Sequence, residues 1–347
     1  MTINYPSMAT LYKNLKTIGF DKPFVNKMLP DWWDGECETN PEGVMEGILY
    51  LSRRLNLELD SLLDAKSIPK FKSSCQPKFK TSKSTEQETL LVSYSLASRI
   101  AELAAYGCNT NYQAIEEINC IEIRKEILKN RKYIDLEGVL DFCWARGIPV
   151  VHFNQLPKGA KKFEGMVAYF DNRPVIIISL NHKSTSKLLF IVLHELGHIC
   201  EKHIKDKYLV DKKIQLNSID QEEIEANQVA NQIIFNNPVI NYYKNISLPY
   251  LSGKKLANLA RNYSIQDFGV SPESIIMNYS WHKVEDPQNQ NIKNIVWSTA
   301  NAALKIVGED CKAPKMINNK FYENLDWDKL SEDNQEYLKL MTGLDTG

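Results

Sequence analysis

An α+β fold, with one small sheet among many helices, is what the sequence of this 347-residue chain predicts. Three observations predict it. Apolar residues recur at three- and four-residue spacing over most of the length. Only between about residues 149 and 180 does the period change to short, strand-like apolar runs. An apolar helix pattern, Phe190 to Ile199, follows those runs directly.

The hydrophobic content of 43% and charged content of 24% are those of a globular protein. The length suits two domains, or one domain with substantial appendages. A net charge of −1 gives no global signal for a nucleic-acid or anionic-membrane partner. The seven cysteines (Cys37, Cys75, Cys108, Cys120, Cys143, Cys200 and Cys311) are odd in number and never form CxxC. That fits reduced thiols better than a disulfide framework or a thiolate zinc cluster. The N-terminus shows no basic stretch followed by an apolar run, and no segment approaches the ~18 apolar residues of a membrane span. The expected location is the cytoplasm.

Residues 1–65 read as a small all-helical domain. Leu11, Leu15 and Ile18 share a helix face, and Gly19 is placed to stop that helix. Phe24, Val25 and Met28 indicate a second short helix ended by Pro30. A third starts near Pro41, a good first-turn residue, and runs through Val44, Ile48, Leu51 and Leu55. Leu59 to Leu63 completes the unit. Residues 66–85 differ in kind, with six lysines, five serines, two prolines and no acid. They are expected to form an exposed basic linker or docking strip. Residues 86–240 form the next domain. Leu90, Leu91, Tyr94, Leu96, Ile100, Leu103 and Ala104 mark one helix face, and further helices are expected over 115–129 and 136–146, the latter ended by Gly147. Pro149 to Phe153 reads as a strand. Gly165–Phe170 and Pro174–Leu180 read as a hairpin turning on Asp171-Asn172. The strand Val175 to Ser179 is a candidate edge for a peptide substrate to pair with. Helices are expected over 184–203 and 220–235. The region 241–347 reads as mostly helical, with helices near 254–263, 272–280, 293–307 and 328–341.

The chemistry lies in Phe190-Ile191-Val192-Leu193-His194-Glu195-Leu196-Gly197-His198-Ile199, an HExxH motif within a helix pattern. Residues i and i+4 share a helix face, so both imidazoles reach one ion. A zinc held there lowers the pKa of its water towards ~7, and Glu195 is placed to take that water's proton. A catalytic zinc needs a third protein ligand and leaves a fourth position open. The extended HExxHxxGxxH pattern requires histidine at 204, which is isoleucine. His203 is one position away and points off the metal face. The preferred third ligand is Glu225, in Gln221-Glu222-Glu223-Ile224-Glu225-Ala226-Asn227, where the small Ala226 permits close helix packing. Glu222 is the reserve, otherwise a first-turn acid favoured by the helix dipole.

His194-Glu195-Leu196-Gly197-His198 followed by Glu225-Ala226-Asn227 resembles the ImmA/IrrE family of metallopeptidases. Gly147 to Val151, Leu156-Pro157, Phe163 to Gly165 and Arg173 to Ile176 are similar to that family's strands, and the likeness covers roughly residues 86–237. The resemblance implies a zincin-like domain with Zn2+ bound by His194, His198 and Glu225, and with Glu195 as catalytic base. It also implies a cytoplasmic protein substrate such as a transcriptional repressor, and a helix-turn-helix domain in many members. Asn227 stands where aspartate is also common, so the usual carboxylate partner of a ligand is replaced by an amide.

The expected function is therefore that of a zinc endopeptidase acting on a repressor or antitoxin. The alternatives are a non-catalytic zinc-containing regulator that binds protein or DNA, and a proteolytic toxin of a toxin–antitoxin pair. Residues 1–65 resemble a helix-turn-helix unit, yet hold six Lys/Arg against ten Asp/Glu, a balance of −4. Phosphate contacts need clustered positive charge, so DNA binding by this unit is expected to be weak. Trp32 and Trp33 are either a protein-binding anchor or core aromatics.

Overall fold

The structure, a computed structural model, describes residues 6–72, 85–115, 118–204, 208–211, 214–216, 218–246 and 251–343. At the N-terminus, α1 (Met8–Thr17) is capped by Ser7, whose hydroxyl accepts from the Thr10 N–H, and it buries Leu11 and Leu15. Gly19, at φ +100°, turns the chain as expected. Four further helices follow: α2 (Lys22–Lys27), α3 (Gly35–Thr39), α4 (Pro41–Arg54) and α5 (Leu59–Leu63). Pro41 does occupy the first turn of α4, and the Asn40 side chain caps that helix. Phe71, in the front part of the expected linker, bridges to Leu57, and its ring meets Phe20 at 6.1 Å. Most of that segment, 73–84, lies outside the described residues.

Then come α6 (Thr85–Gly107), α7 (Cys120–Leu128) and α8 (Leu136–Ala145), the strands β1 (Val150–His152), β2 (Gly165–Phe170) and β3 (Arg173–Ile178), α9 (Thr185–Cys200), β4 (Tyr208–Asp211) and α10 (Gln221–Phe235). The helix expected from 115 starts at Cys120, because Asn119 accepts from the Ile121 N–H and sets the cap there. The sheet order is β1-β3-β2-β4, with β1 parallel to β3 and the other pairs antiparallel. Asp171 and Asn172 both adopt left-handed backbone, at φ +48° and +62°, the geometry of a tight hairpin turn.

Alternation divides the sheet residues between two cores. Val150, Val167, Ile176 and Ile178 join a core with α9 and α10, while Val151, Met166, Val175 and Ile177 join one with α1, α4 and α6. The sheet is thus covered on both faces. The strand offered by the sequence as a docking edge is interior instead. β3 is bonded to β1 on one side and to β2 on the other, so its main-chain groups are already paired.

The rest of the chain forms α11 (Tyr242–Asn245), α12 (Gly253–Gln266), α13 (Pro272–Glu285), α14 (Lys293–Val307), α15 (Ala313–Asn324) and α16 (Glu332–Thr342). Helices α12 to α14 pack into the α9 core. In α16, Tyr337, Leu338 and Met341 complete the N-terminal core. The Arg54 guanidinium, buried in α4, meets Asp333 at 2.5 Å and Glu336 at 3.1 Å on α16. Arg124 of α7, also buried, donates to the Ile233 and Ile234 carbonyls at 2.6 and 2.5 Å, and to that of Phe268. This cation stabilises the carbonyl end of α10 and ties it to α7. Among the described residues no helix is long and apolar enough to cross a membrane.

His152 yields a stability test. Its Nε2–H donates to the Leu180 carbonyl at 3.1 Å. Burial, reinforced by the Lys162 charge, lowers its pKa from 6.5 to about 4. The unfolded chain therefore takes up this proton first. The contribution is whole above the unfolded pKa and fades as pH falls towards 4, by on the order of 3 kcal/mol. Denaturant melts at pH 7 and pH 4.5 should show a smaller loss for His152→Gln than for the wild type, and equal losses would contradict this reading.

Candidate metal centre

The helix carrying HExxH starts where Ser184 accepts from the Lys187 N–H and the Glu309 carboxylate accepts from the Ser186 N–H at 2.9 Å. An acid there suits the positive end of the helix. From Leu188 to Cys200 every residue is buried, because α9 lies between the sheet, α10 and α13. At Gly197 a Cβ atom would come within 2.9 Å of the Ala226 Cα and carbonyl oxygen. The two helices therefore approach with nothing larger than these residues between them, and the acids of α10 come within reach of the imidazoles.

The Nε2 atoms of His194 and His198 lie 3.1 Å apart. Glu223 places Oε2 3.5 Å from the first and Oε1 3.9 Å from the second. One ligand atom from each of these three residues lies within 4.8 Å of the others. Two imidazoles and a carboxylate, with Glu223 only 17% exposed and both histidines fully buried, match the donor set of a catalytic divalent metal site. Glu195, also fully buried, lies against the start of β2. A Cβ on Gly165 would fall 1.9 Å from the Glu195 Oε1, so only glycine admits the carboxylate at that place.

The outer nitrogens of the imidazoles are engaged in turn. His194 Nδ1 is 3.0 Å from Asn227 Oδ1, and the Asn227 amide donates to the Gln215 carbonyl at 2.9 Å, which orients it. His198 Nδ1 is 2.9 Å from His203 Nδ1, and His203 Nε2 is 2.8 Å from Glu225 Oε2. The Gln221 amide donates to Glu225 Oε1 at 2.8 Å. Together the Gln221 and His203 bonds hold the Glu225 carboxyl below the ordinary carboxylate range.

The structure therefore places Glu225, the third ligand preferred on sequence, elsewhere. It brings Glu223 to His194 and His198, and it sets Glu225 behind His198 with both oxygens hydrogen-bonded. Glu222, the reserve, is outside the cluster as well. Helix geometry is the reason. Asn227 faces His194, and the position four residues earlier on the same face is Glu223, whereas Glu225 is turned about 200° away. Once Asn227 is seen to face His194, its i, i+4 relation puts Glu223 on the same face.

Phe190, one turn before His194, stacks on its ring at 6.4 Å, and Trp281 meets Phe190 edge-on at 5.1 Å. Next to Gly165 opens a cleft of about 620 Å³, lined among others by Glu164, His182, Ile214, Gln215, Trp281 and Glu285. Glu164 accepts from the Ile214 N–H at 2.9 Å and Glu285 from the Leu216 N–H at 3.1 Å, which ties residues 214–216 to the start of β2 and to α13.

No curated protein matches the chain. A family model does match, over residues 145–278, from the end of α8 through half of α13, a span later in the chain than the motifs alone suggest. That model is described as the IrrE N-terminal-like domain, a peptidase family, and residues 145–278 of the chain are similar to it.

Proposed function

We propose that the protein is a zinc-dependent endopeptidase that cuts a cytoplasmic protein partner, of the repressor or antitoxin class. The observation that carries this reading is the Glu195 carboxylate, buried against Gly165 beside the cluster of His194, His198 and Glu223. In this reading His194, His198 and Glu223 hold the metal. Zinc, when bound, supplies Lewis acidity and lowers the pKa of water. Glu195 accepts the proton of the attacking water and returns it to the leaving amine. Asn227 accepts from His194 Nδ1–H and so fixes the tautomer whose Nε2 lone pair faces the cluster. The cleft beside Gly165 receives the peptide, with Trp281 as an apolar wall and the 214–216 segment along its rim.

A non-catalytic regulator has no need of a base, and the presence of Glu195 in its glycine-bounded niche argues against that class. The N-terminal unit is read as a selector of the protein partner. Its −4 balance gives little counterion release on DNA. Trp32 is 51% exposed, while Trp33 packs its ring on Gly47 of α4. One tryptophan is thus available to a partner and the other supports the fold.

Incubation of the zinc-loaded protein with the product of the adjacent gene tests the reading. The expected result is a discrete cut that a chelator abolishes and added zinc restores. Binding of that partner without cleavage, at full zinc occupancy, would move the protein to the regulator class.

A further inference from the structure

His203 and Glu225 stand outside the cluster of His194, His198 and Glu223, yet they are hydrogen-bonded in series behind His198. Helix α9 ends in a Schellman turn. The His203 N–H donates to the His198 carbonyl at 3.0 Å, and the Lys202 N–H to that of Ile199 at 3.2 Å. Lys202 takes left-handed backbone, φ +55°, where glycine is usual. The turn folds His203 back over His198, and its ring is buried, with 5% of the side chain exposed.

With the His198 Nε2 lone pair turned to a metal and His203 neutral, one arrangement of protons satisfies these contacts. If His198 turns its Nε2 lone pair to the metal, its Nδ1 carries hydrogen and donates to His203 Nδ1. His203 must then be protonated at Nε2, and that N–H meets the Glu225 carboxylate. The Gln221 amide holds the other Glu225 oxygen. His194 has a neutral amide, Asn227, behind it, whereas His198 has a full negative charge behind it at one remove.

We propose that His203 and Glu225 are positioning residues, a hydrogen-bonded relay that fixes the tautomer and direction of His198 and increases its strength as a metal ligand. The proposal rests on the metal reading above. A carboxylate acting through an imidazole on a ligating imidazole raises ligand basicity, and removal of such an outer partner typically weakens metal binding about 10–100-fold. Glu225 acts here through His203 and does not touch the metal.

The test is zinc affinity of the full-length protein by chelator competition, with apo-protein melting measured in parallel. His203→Ala and Glu225→Gln should each weaken zinc about 10–100-fold. Glu225→Gln should leave the apo melting temperature unchanged, since the amide keeps the shape of the carboxylate. The double variant should bind no more weakly than His203→Ala, because Glu225 has no route to the metal without His203. A purely structural role would instead lower the apo melting temperature of Glu225→Gln along with its zinc affinity. Wild-type affinity in Glu225→Gln, or additive losses in the double variant, would overturn the relay while the metal centre stands. Complete loss of zinc in Glu225→Ala with retention in Glu223→Ala would make Glu225 the ligand and overturn it too. A wild-type protein that binds no zinc refutes the metal reading itself, and the relay with it.

Discussion

Glu195→Gln is expected to abolish proteolysis and to leave zinc in place. The amide keeps the shape of the side chain in its niche against Gly165, but it cannot accept a proton at neutral pH. Loss of a positioned general base costs about 10²–10⁴-fold in rate, and in the proposed mechanism the same group would also deliver the proton to the leaving nitrogen. Because Glu195 is not among the cluster of His194, His198 and Glu223, zinc stoichiometry should match the wild type. Gly165→Ala serves as an independent check. A methyl group at that position cannot coexist with Glu195 as placed, so the carboxylate must move and cleavage must fall with zinc retained. The readouts are metal analysis and cleavage of the partner. Undiminished cleavage by Glu195→Gln would contradict the assignment of the base.

Glu223→Ala is expected to lose the metal. Zinc affinities of protein sites correspond to ~10–16 kcal/mol spread over three or four ligands, so one missing ligand costs on the order of 3 kcal/mol, at least a hundredfold in dissociation constant. His194→Ala and His198→Ala should lose as much. Glu225→Ala should lose less, because that carboxylate meets His203 at 2.8 Å and reaches the cluster only through it. Titration of each variant with zinc against a chelator of known affinity measures the order. Retention of wild-type affinity in Glu223→Ala would contradict the account.

The part of the site carried by one helix was legible in the sequence. HExxH within an apolar run fixes two imidazoles on one face through helical periodicity alone, and the structure puts His194, Glu195 and His198 on α9, buried throughout. The hairpin was legible as well, since Asp171-Asn172 tolerates the left-handed backbone that a two-residue turn demands. What depends on two elements at once was harder to read. The choice among Glu222, Glu223 and Glu225 turns on the rotation of α10 about its own axis against α9, and that rotation is set by the Gly197–Ala226 contact. β4 is four residues long and owes its conformation to the ladder with β2, from Gly165↔Asp211 to Ala168↔Tyr208, so no local pattern announces it. α15 escaped notice because its buried Ile317 and Phe321 stand in a polar surround. The α16 contribution to the N-terminal core, with Asp333 and Glu336 on Arg54, joins residues about 280 positions apart, and no sequence window spans that distance.

One zinc is expected between α9 and α10, and anomalous diffraction at the zinc absorption edge from crystals of the loaded protein would locate it. The expected result is one strong peak, about 2.0–2.2 Å from His194 Nε2, His198 Nε2 and a Glu223 oxygen, with His203 and Glu225 still hydrogen-bonded behind His198. A peak coordinated by Glu225 in place of Glu223, or no peak at this position in fully loaded protein, would contradict it.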